Sequence, residues 1–247
     1  MSLLASVTVS TVLPSAQAAI SLDRTRVVFP GNEKSVSLTV RNQNPELPYL
    51  AQGWLEDVQG TKLEGNSAFT VLPPVQRVEP QGQTQLKIQA MPGANLLPQD
   101  RESLFYFNLR EIPPQSDKQN VLQIALQTRV KLFYRPAALA EAAAKQQAIP
   151  FQEQLTLTKS GDSYRVNNPT PYFVTLIGAS AKKDGEVVKG FEPLMVPPKG
   201  SIQLGGSAVA LGATPALVYV NDYGGQMALI FRCGGATCQV DERQRGK

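Results

Sequence analysis

Short β-rich segments recur along the whole chain and constrain its fold more than any other feature. The first half holds seven of them: AISLDRTRVVF, SVSLTVRN, YLAQGWLEDV, AFTVL, QTQLKIQAM, LFYFNLREI and VLQIALQTRVKLFY. Clusters of Pro, Gly, Asn and Asp separate them, as expected of strands joined by turns. Seven short strands within about 120 residues are typical of an antiparallel sandwich of the immunoglobulin type.

The segment 136–150, PAALAEAAAKQQAIP, interrupts this pattern. Its Ala, Glu and Lys residues favour a helical turn, and prolines flank it, so we place an inter-domain linker at 138–150. Strand signals then return in QLTLTK, SYRVNN, YFVTLIGASA, EPLMV, SIQLG, ALVYVND and MALIFRC. The sequence therefore predicts an all-β chain with two immunoglobulin-like sandwich domains in tandem, at 19–137 and 151–247.

Composition excludes several classes of protein. With 247 residues, 42% hydrophobic and 18% charged, the chain can bury a substantial core and is not disordered. The net charge of +4 comes from 24 basic and 20 acidic residues that are mixed along the chain rather than gathered in basic runs. We therefore expect no nucleic-acid partner.

The first eighteen residues, MSLLASVTVSTVLPSAQA, carry no charge and end in Ala16-Gln17-Ala18. An apolar stretch followed by a small-x-small site is typical of a secretory signal peptide, here cleaved before Ala19. The Lys or Arg that usually opens such a signal is missing, so an atypical signal, a core strand and a membrane anchor remain alternatives. No later stretch is long and apolar enough for membrane insertion.

Cys233 and Cys238 are the two cysteines of the chain, in FRCGGATCQV. The Gly-Gly pair and Ala-Thr between them predict a turn, so a disulfide that pins the ends of a hairpin is the favoured interpretation. A redox-active pair is the weaker alternative, because the spacing is not Cys-x-x-Cys.

A search for catalytic chemistry is mostly negative. The sequence has no histidine, which removes the usual Ser-His-Asp and Cys-His sites and the commonest metal ligand. It also lacks a phosphate-binding Gly-rich loop and a zinc-type cysteine cluster. Glu56 and Asp57 are adjacent on a strand and would point to opposite faces, so they are a poor acid and base pair. We expect no enzyme activity, no cofactor and no metal.

One stretch raises a functional question. In 120–136, NVLQIALQTRVKLFYRP, even positions such as Leu122, Ile124 and Leu126 are aliphatic, and most odd positions are polar. This period of two predicts a strand with one apolar face. That face either lines the domain's own core, which periodicity alone favours, or is offered to another protein.

Several blocks of the chain resemble the periplasmic pilus, or fimbrial, assembly chaperones. They are SLDRTRVVF, LPYLAQGWLED, PPVQRVEP, LPQDRESLFYFNLREIPP, NVLQIALQTRVKLFYRP, NNPTPYFVTLIG and VYVNDYGG. They occur in the family's order and cover essentially all of 19–240. The resemblance implies two immunoglobulin-like domains joined at an angle with a cleft between them, in a chain that is periplasmic after signal cleavage.

The resemblance also implies partners and a binding site. The expected partners are pilin subunits and an outer-membrane usher. In this family, the strand that matches Leu122, Ile124 and Leu126 is an edge strand lent to a pilin subunit that lacks its own last strand. Arg26 and Lys131 match a pair of cations that grip the pilin's C-terminal carboxylate in the cleft. Strict alternation places Lys131 on the face opposite Leu126, so a bulge or a strong twist is expected between them.

Glu102, Arg135 and Asp222 match a charged trio that links the two domains in this family. The short 111–120 connection and the cysteine pair resemble the subgroup that serves rod-like pili with adhesive tips. Departures in the Ala-rich linker and at 182–190 leave the domain angle and the cognate pilin open. Two rival classes remain, a sandwich-type adhesin or pilin and a secreted enzyme, and self-association of the unloaded chain is a further open point.

Overall fold

The computed structural model describes residues 18–65, 67–116, 120, 122–145 and 150–241. Apart from Ala18, the predicted signal peptide lies outside the described residues. The strands are β1 (Ile20–Leu22), β2 (Arg26–Pro30), β3 (Ser35–Asn42), β4 (Tyr49–Glu56), β5 (Phe69–Leu72), β6 (Val75–Val78), β7 (Gln83–Ala90), β8 (Ser103–Ile112), β9 (Gln127–Arg135), β10 (Thr156–Ser160), β11 (Ser163–Asn168), β12 (Val174–Ser180), β13 (Leu194–Val196), β14 (Gly200–Gln203), β15 (Ala216–Val220), β16 (Gln226–Gly234) and β17 (Thr237–Val240). The helices are α1 (Ala137–Lys145) and α2 (Ala208–Leu211), with 3₁₀ turns at Pro92–Leu96 and Phe151–Gln154.

The strands up to β9 form two sheets around one core. One sheet has the order β1-β3-β7-β5, and the other has the order β2-β9-β8-β4-β6. Their inward side chains are almost all apolar because each strand alternates between a core-facing and an outward residue. At the centre, the ring of Phe69 contacts those of Phe29, Phe105 and Tyr134, with centroids 4.9 to 5.6 Å apart.

Two details of this half differ from the sequence prediction. The segment AISLDRTRVVF is not one strand, because β1 pairs with β3 in an antiparallel ladder whereas β2 pairs with β9 in a parallel ladder of the other sheet. The polar residues between them carry the chain from one sheet to the other. The strand β6 was not predicted, because Pro73 and Pro74 directly before it are typical of a turn.

The strands from β10 onward form a second sandwich with a separate apolar core. They follow one hydrogen-bonded series, β13-β12-β15-β16-β17-β10-β11-β14. The strand β16 joins the two layers: its first part pairs with β15 and its last part with β17. The predicted all-β fold with two immunoglobulin-like domains is thus confirmed.

The cysteine pair lies in the hairpin of β16 and β17. Cys233 and Cys238 are directly opposite each other in the ladder, and their sulfur atoms form a disulfide. The predicted disulfide that pins a hairpin is confirmed.

The helix α1 lies between the two sandwiches, where the sequence predicted a helical turn. It begins directly after Pro136, and the hydroxyl of Tyr172 in the second sandwich donates a hydrogen bond to the carbonyl of Leu139, at 2.9 Å. Within the described ranges, no helix has the length and apolar character needed to cross a membrane.

Candidate functional site

The residues 122–126 carry an exposed row of aliphatic side chains. Leu122 is 84% exposed, Ile124 is 64% exposed and Leu126 is 39% exposed. They have the same parity as Val130 and Leu132 of β9, which are buried in the first core. The apolar face predicted from periodicity is therefore continuous, but only its second half lines the domain's own core. The first half faces outward.

The backbone of this row is also largely unpaired among the described residues. The ladder between β8 and β9 ends at the pair Arg110 and Gln127, followed by one more bond from the Glu111 amide to the Leu126 carbonyl, at 3.0 Å. Pro113 and Pro114 come next on the β8 side and have no N–H to donate, so the ladder stops there. We call 122–126 the edge segment: an extended stretch with free backbone groups and an exposed apolar face.

Arg26 and Lys131 lie side by side where the two sandwiches meet. They are direct partners in the parallel ladder of β2 and β9. The Lys131 ammonium donates to the hydroxyl of Thr175 at 3.2 Å, and the Arg26 Nη1 donates to the carbonyl of Val220 at 3.2 Å. Both cations thus reach across to the second sandwich, and both are half-buried.

This pair has the electrostatics of an anion site. Burial lowers the pKa of Lys131, and the neighbouring positive charge of Arg26 lowers it further. Burial also lowers the pKa of Arg26, against the attraction of Asp222. In the described part of the chain, the Arg26 Nε is buried without a hydrogen-bond partner. An anion here would relieve the repulsion between the cations, and a carboxylate could accept from both.

The predicted bulge between Leu126 and Lys131 is not present in the paired range. The β8 and β9 ladder runs from Ser103 opposite Tyr134 to Arg110 opposite Gln127 with no change of register. Lys131 therefore lies on the face opposite Leu126, as ordinary alternation requires. It reaches the domain junction because the second sandwich packs against that outward face of β9.

The structure brings the predicted charged trio together at the junction. Arg135 donates from Nε to Glu102 at 2.8 Å, and from Nη1 and Nη2 to Asp222 at 2.8 and 3.2 Å. The other oxygen of Glu102 accepts the Phe173 amide at 2.7 Å. Burial raises the pKa of Glu102 to about 7, against the attraction of Arg135. For Arg135, burial is outweighed by the two carboxylates, which hold its pKa above the ordinary range.

Sequence reasoning missed the residues of the second sandwich that complete this junction. They are Thr175 and Val220, which accept from the two cations, and Phe173, whose ring lies 5.8 Å from that of Phe133. Lys199 was also missed; it forms a 2.8 Å ion pair with Asp100 of the first sandwich. No local pattern marks these residues, because their partners are far away along the chain.

Replacing Arg135 with Ala is expected to lower the free energy of unfolding by about 3 kcal/mol, because the buried Glu102 carboxylate loses its counter-ion. Thermal unfolding at neutral pH would measure the loss. Arg101→Ala is the control, since that exposed residue pairs only with the adjacent Asp100 in the described part. Equal stability of Arg135→Ala and wild type would contradict the structural role of this trio.

Comparison with known proteins agrees with this geometry. The family model of the pili and flagellar-assembly chaperone PapD N-terminal domain matches 19–140, and that of the pili assembly chaperone PapD C-terminal domain matches 150–231. The probable fimbrial chaperone YfcS of Escherichia coli K12 is 52% identical, with 94% of this chain and 90% of the relative covered. The chaperone protein PapD of Escherichia coli is 47% identical, with 94% of each chain covered.

Solved structures give the same result. The crystal structure of the periplasmic chaperone SfaE is 30% identical, with a TM-score of 0.65, and the match covers 85% of this chain and 98% of that one. The two family models together span both sandwiches, in the same order as the two cores. This chain therefore belongs to the family of PapD-like pilus assembly chaperones.

Proposed function

We propose that this chaperone binds pilin subunits by donating the edge segment as a strand that the subunit lacks. The observation that carries the proposal is the exposure of Leu122, Ile124 and Leu126 together with their largely unpaired backbone. A subunit with an open groove would accept the three side chains, while its sheet would pair with the free N–H and C=O groups.

The magnitudes suit a complex that holds a subunit and can later release it. Burying three large aliphatic side chains stabilises a complex by roughly 5 to 9 kcal/mol. Each new ladder hydrogen bond adds about 1 kcal/mol. Association itself costs about 4 to 15 kcal/mol in lost freedom of motion. The difference is moderate, so a partner that completes the subunit better could displace the chaperone.

Arg26 and Lys131 would set the register of that complex. We infer that they bind the subunit's C-terminal carboxylate, because two half-buried cations with donors to spare favour one anion at one point. With the end of the subunit held there, the residues that precede it would run along β9 towards the edge segment. Each side chain of the edge segment would then meet a defined pocket of the groove.

The remaining parts of the proposal follow the family. We propose that a signal peptide is removed before Ala19, and that the domains span 19–137 and 151–247 with a linker at 138–150. We also propose that the loaded chaperone delivers its subunit to an outer-membrane usher. The exposed edge segment makes self-association of the unloaded chain an additional expectation, because a free apolar edge tends to pair with another chain.

Refolding a pilin subunit from denaturant in the presence of the purified chaperone tests this function. A pilin from the same genome is expected to remain soluble in a one-to-one complex, and to aggregate without the chaperone. The matched control is the same pilin with a donor strand fused to its own chain, which fills the groove and should abolish binding. Aggregation that the chaperone leaves unchanged, or equal binding of the fused pilin, would contradict the proposal.

A further inference from the structure

Glu111 is a buried carboxylate at the point where the edge segment leaves the sheet. It follows Phe105, Phe107 and Leu109 at the core-facing positions of β8, and it is only 5% exposed. One of its oxygens accepts the Ile20 amide of β1 at 2.9 Å, and the other accepts the Leu126 amide at 3.4 Å. The side chain therefore connects the first strand of the protein to the root of the edge segment.

No cation among the described residues pairs with this carboxylate. Arg41, Glu46 and Tyr49 are the charged or titratable side chains on the nearby parts of β3, β4 and the loop between them, and none forms an ion pair with Glu111 in the described ranges. Two backbone amides satisfy its oxygens only in part. A buried carboxylate ordinarily has a positive partner, because the loss of water is costly for the charged form.

The beginning of the described chain lies at the same place. Ala18 and Ala19 line an open cavity of about 460 Å³ together with Glu111, Ile124 and Leu126. Ala19 is held there because its carbonyl accepts the Gln43 amide at 2.7 Å. The predicted cleavage site, between Ala18 and Ala19, is thus next to both the carboxylate and the edge segment.

We propose that the α-ammonium group created at Ala19 by signal removal is the counter-ion of Glu111, and that this pair fixes the root of the edge segment. The inference rests on the cleavage and the strand donation proposed above. Cleavage would then do more than release the chain: it would supply the charge that completes the site. Glu111 is a positioning residue in this account, acting on the pilin through Leu126.

The distances permit this pair. Consecutive residues of an extended chain are at most about 3.6 Å apart. The Ala19 nitrogen is one residue before the Ile20 amide, which is itself 2.9 Å from the carboxylate. An opposite charge within about 4 to 6 Å of an ionisable group favours its charged form. In the uncleaved chain the same nitrogen is a neutral amide, so the pair cannot exist.

Titration of the α-amino group tests the proposal directly. The chaperone would be matured in the periplasm, its first residue identified by intact mass, and its amines labelled by reductive ¹³C-methylation for NMR. An ordinary α-amino pKa is about 7.7 to 8.0, and we expect that of Ala19 to be higher by about one unit. Glu111→Gln should return it to the ordinary range, and the Leu126 amide should exchange faster with solvent.

Two further variants keep the test decisive. Glu46→Gln removes an exposed carboxylate of the same domain and should leave the α-amino pKa unchanged. A mature chain with one additional alanine before Ala19 displaces the ammonium but keeps Glu111, so it should also have an ordinary α-amino pKa, even if Glu111→Gln folds poorly. The same α-amino pKa in wild type and in both the Glu111→Gln and extended chains, or a mature chain that begins elsewhere, would overturn the proposal. Failure of the wild type to bind any pilin would contradict the proposed function instead, and the titration would still decide this point.

Discussion

Replacing Ile124 with Asp is expected to lower the affinity for a pilin subunit by at least about a thousandfold. The variant loses the burial of one large aliphatic side chain, about 1.5 to 3 kcal/mol, and must bring a carboxylate into an apolar groove, which costs several kcal/mol more. The chaperone itself should fold normally, because Ile124 is exposed in the free chain. Equilibrium binding of a refolded pilin would measure the change.

Leu96→Asp is the matched control for this experiment. Leu96 is also an exposed aliphatic residue of the first sandwich, 88% exposed, but it lies in the 3₁₀ turn after β7 rather than in the edge segment. Its replacement should leave pilin affinity within about twofold of wild type, as is usual for a surface change away from an interface. Equal losses in the two variants would mean that general surface hydrophobicity, rather than strand donation, holds the subunit.

Removing both cations of the anchor is expected to weaken pilin binding by a hundredfold or more. A hydrogen bond to a charged group is worth about 1.5 to 3 kcal/mol, so Arg26→Ala and Lys131→Ala should each lose about ten- to a hundredfold. Their effects should not simply add, because both groups act on one carboxylate. Affinity measured for the two single variants and the double variant would show this coupling.

Two controls separate the anchor from a general effect of charge. Arg24→Ala removes a nearby arginine that pairs with the adjacent Asp23, and it should bind pilin like wild type. A pilin with an amidated C-terminus should bind wild type about as weakly as the intact pilin binds the double variant. If amidation has no effect on binding, Arg26 and Lys131 do not hold the carboxylate.

Alternation along the chain predicted the faces of β8 and β9 well, but not what covers them. Leu132 and Ile124 follow the same period of two, yet the first is buried in the core and the second is exposed. Periodicity reports which side chains share a face, whereas burial depends on which other strands reach that face. The resemblance to a family, not the pattern, therefore carried the prediction that Ile124 is offered to a partner.

Contacts between the sandwiches were beyond local sequence reasoning for a similar reason. Lys131 meets Thr175 across 44 residues of chain, and Arg26 meets Val220 across 194. Nothing near any of these residues indicates the distant partner. Glu111 is a different case, since a charge at the core-facing position after Leu109 is visible in the sequence as a break in the pattern. Its partners could be identified only in the folded chain.

Hydrogen exchange of the edge segment, with and without bound pilin, tests the central claim most directly. In the free chaperone, 122–126 is largely unpaired in the described structure, so its amides should exchange rapidly. In the complex, their exchange should slow by at least about a hundredfold, because they enter a sheet with the subunit. A stable complex in which these amides exchange as fast as in the free chain would contradict strand donation.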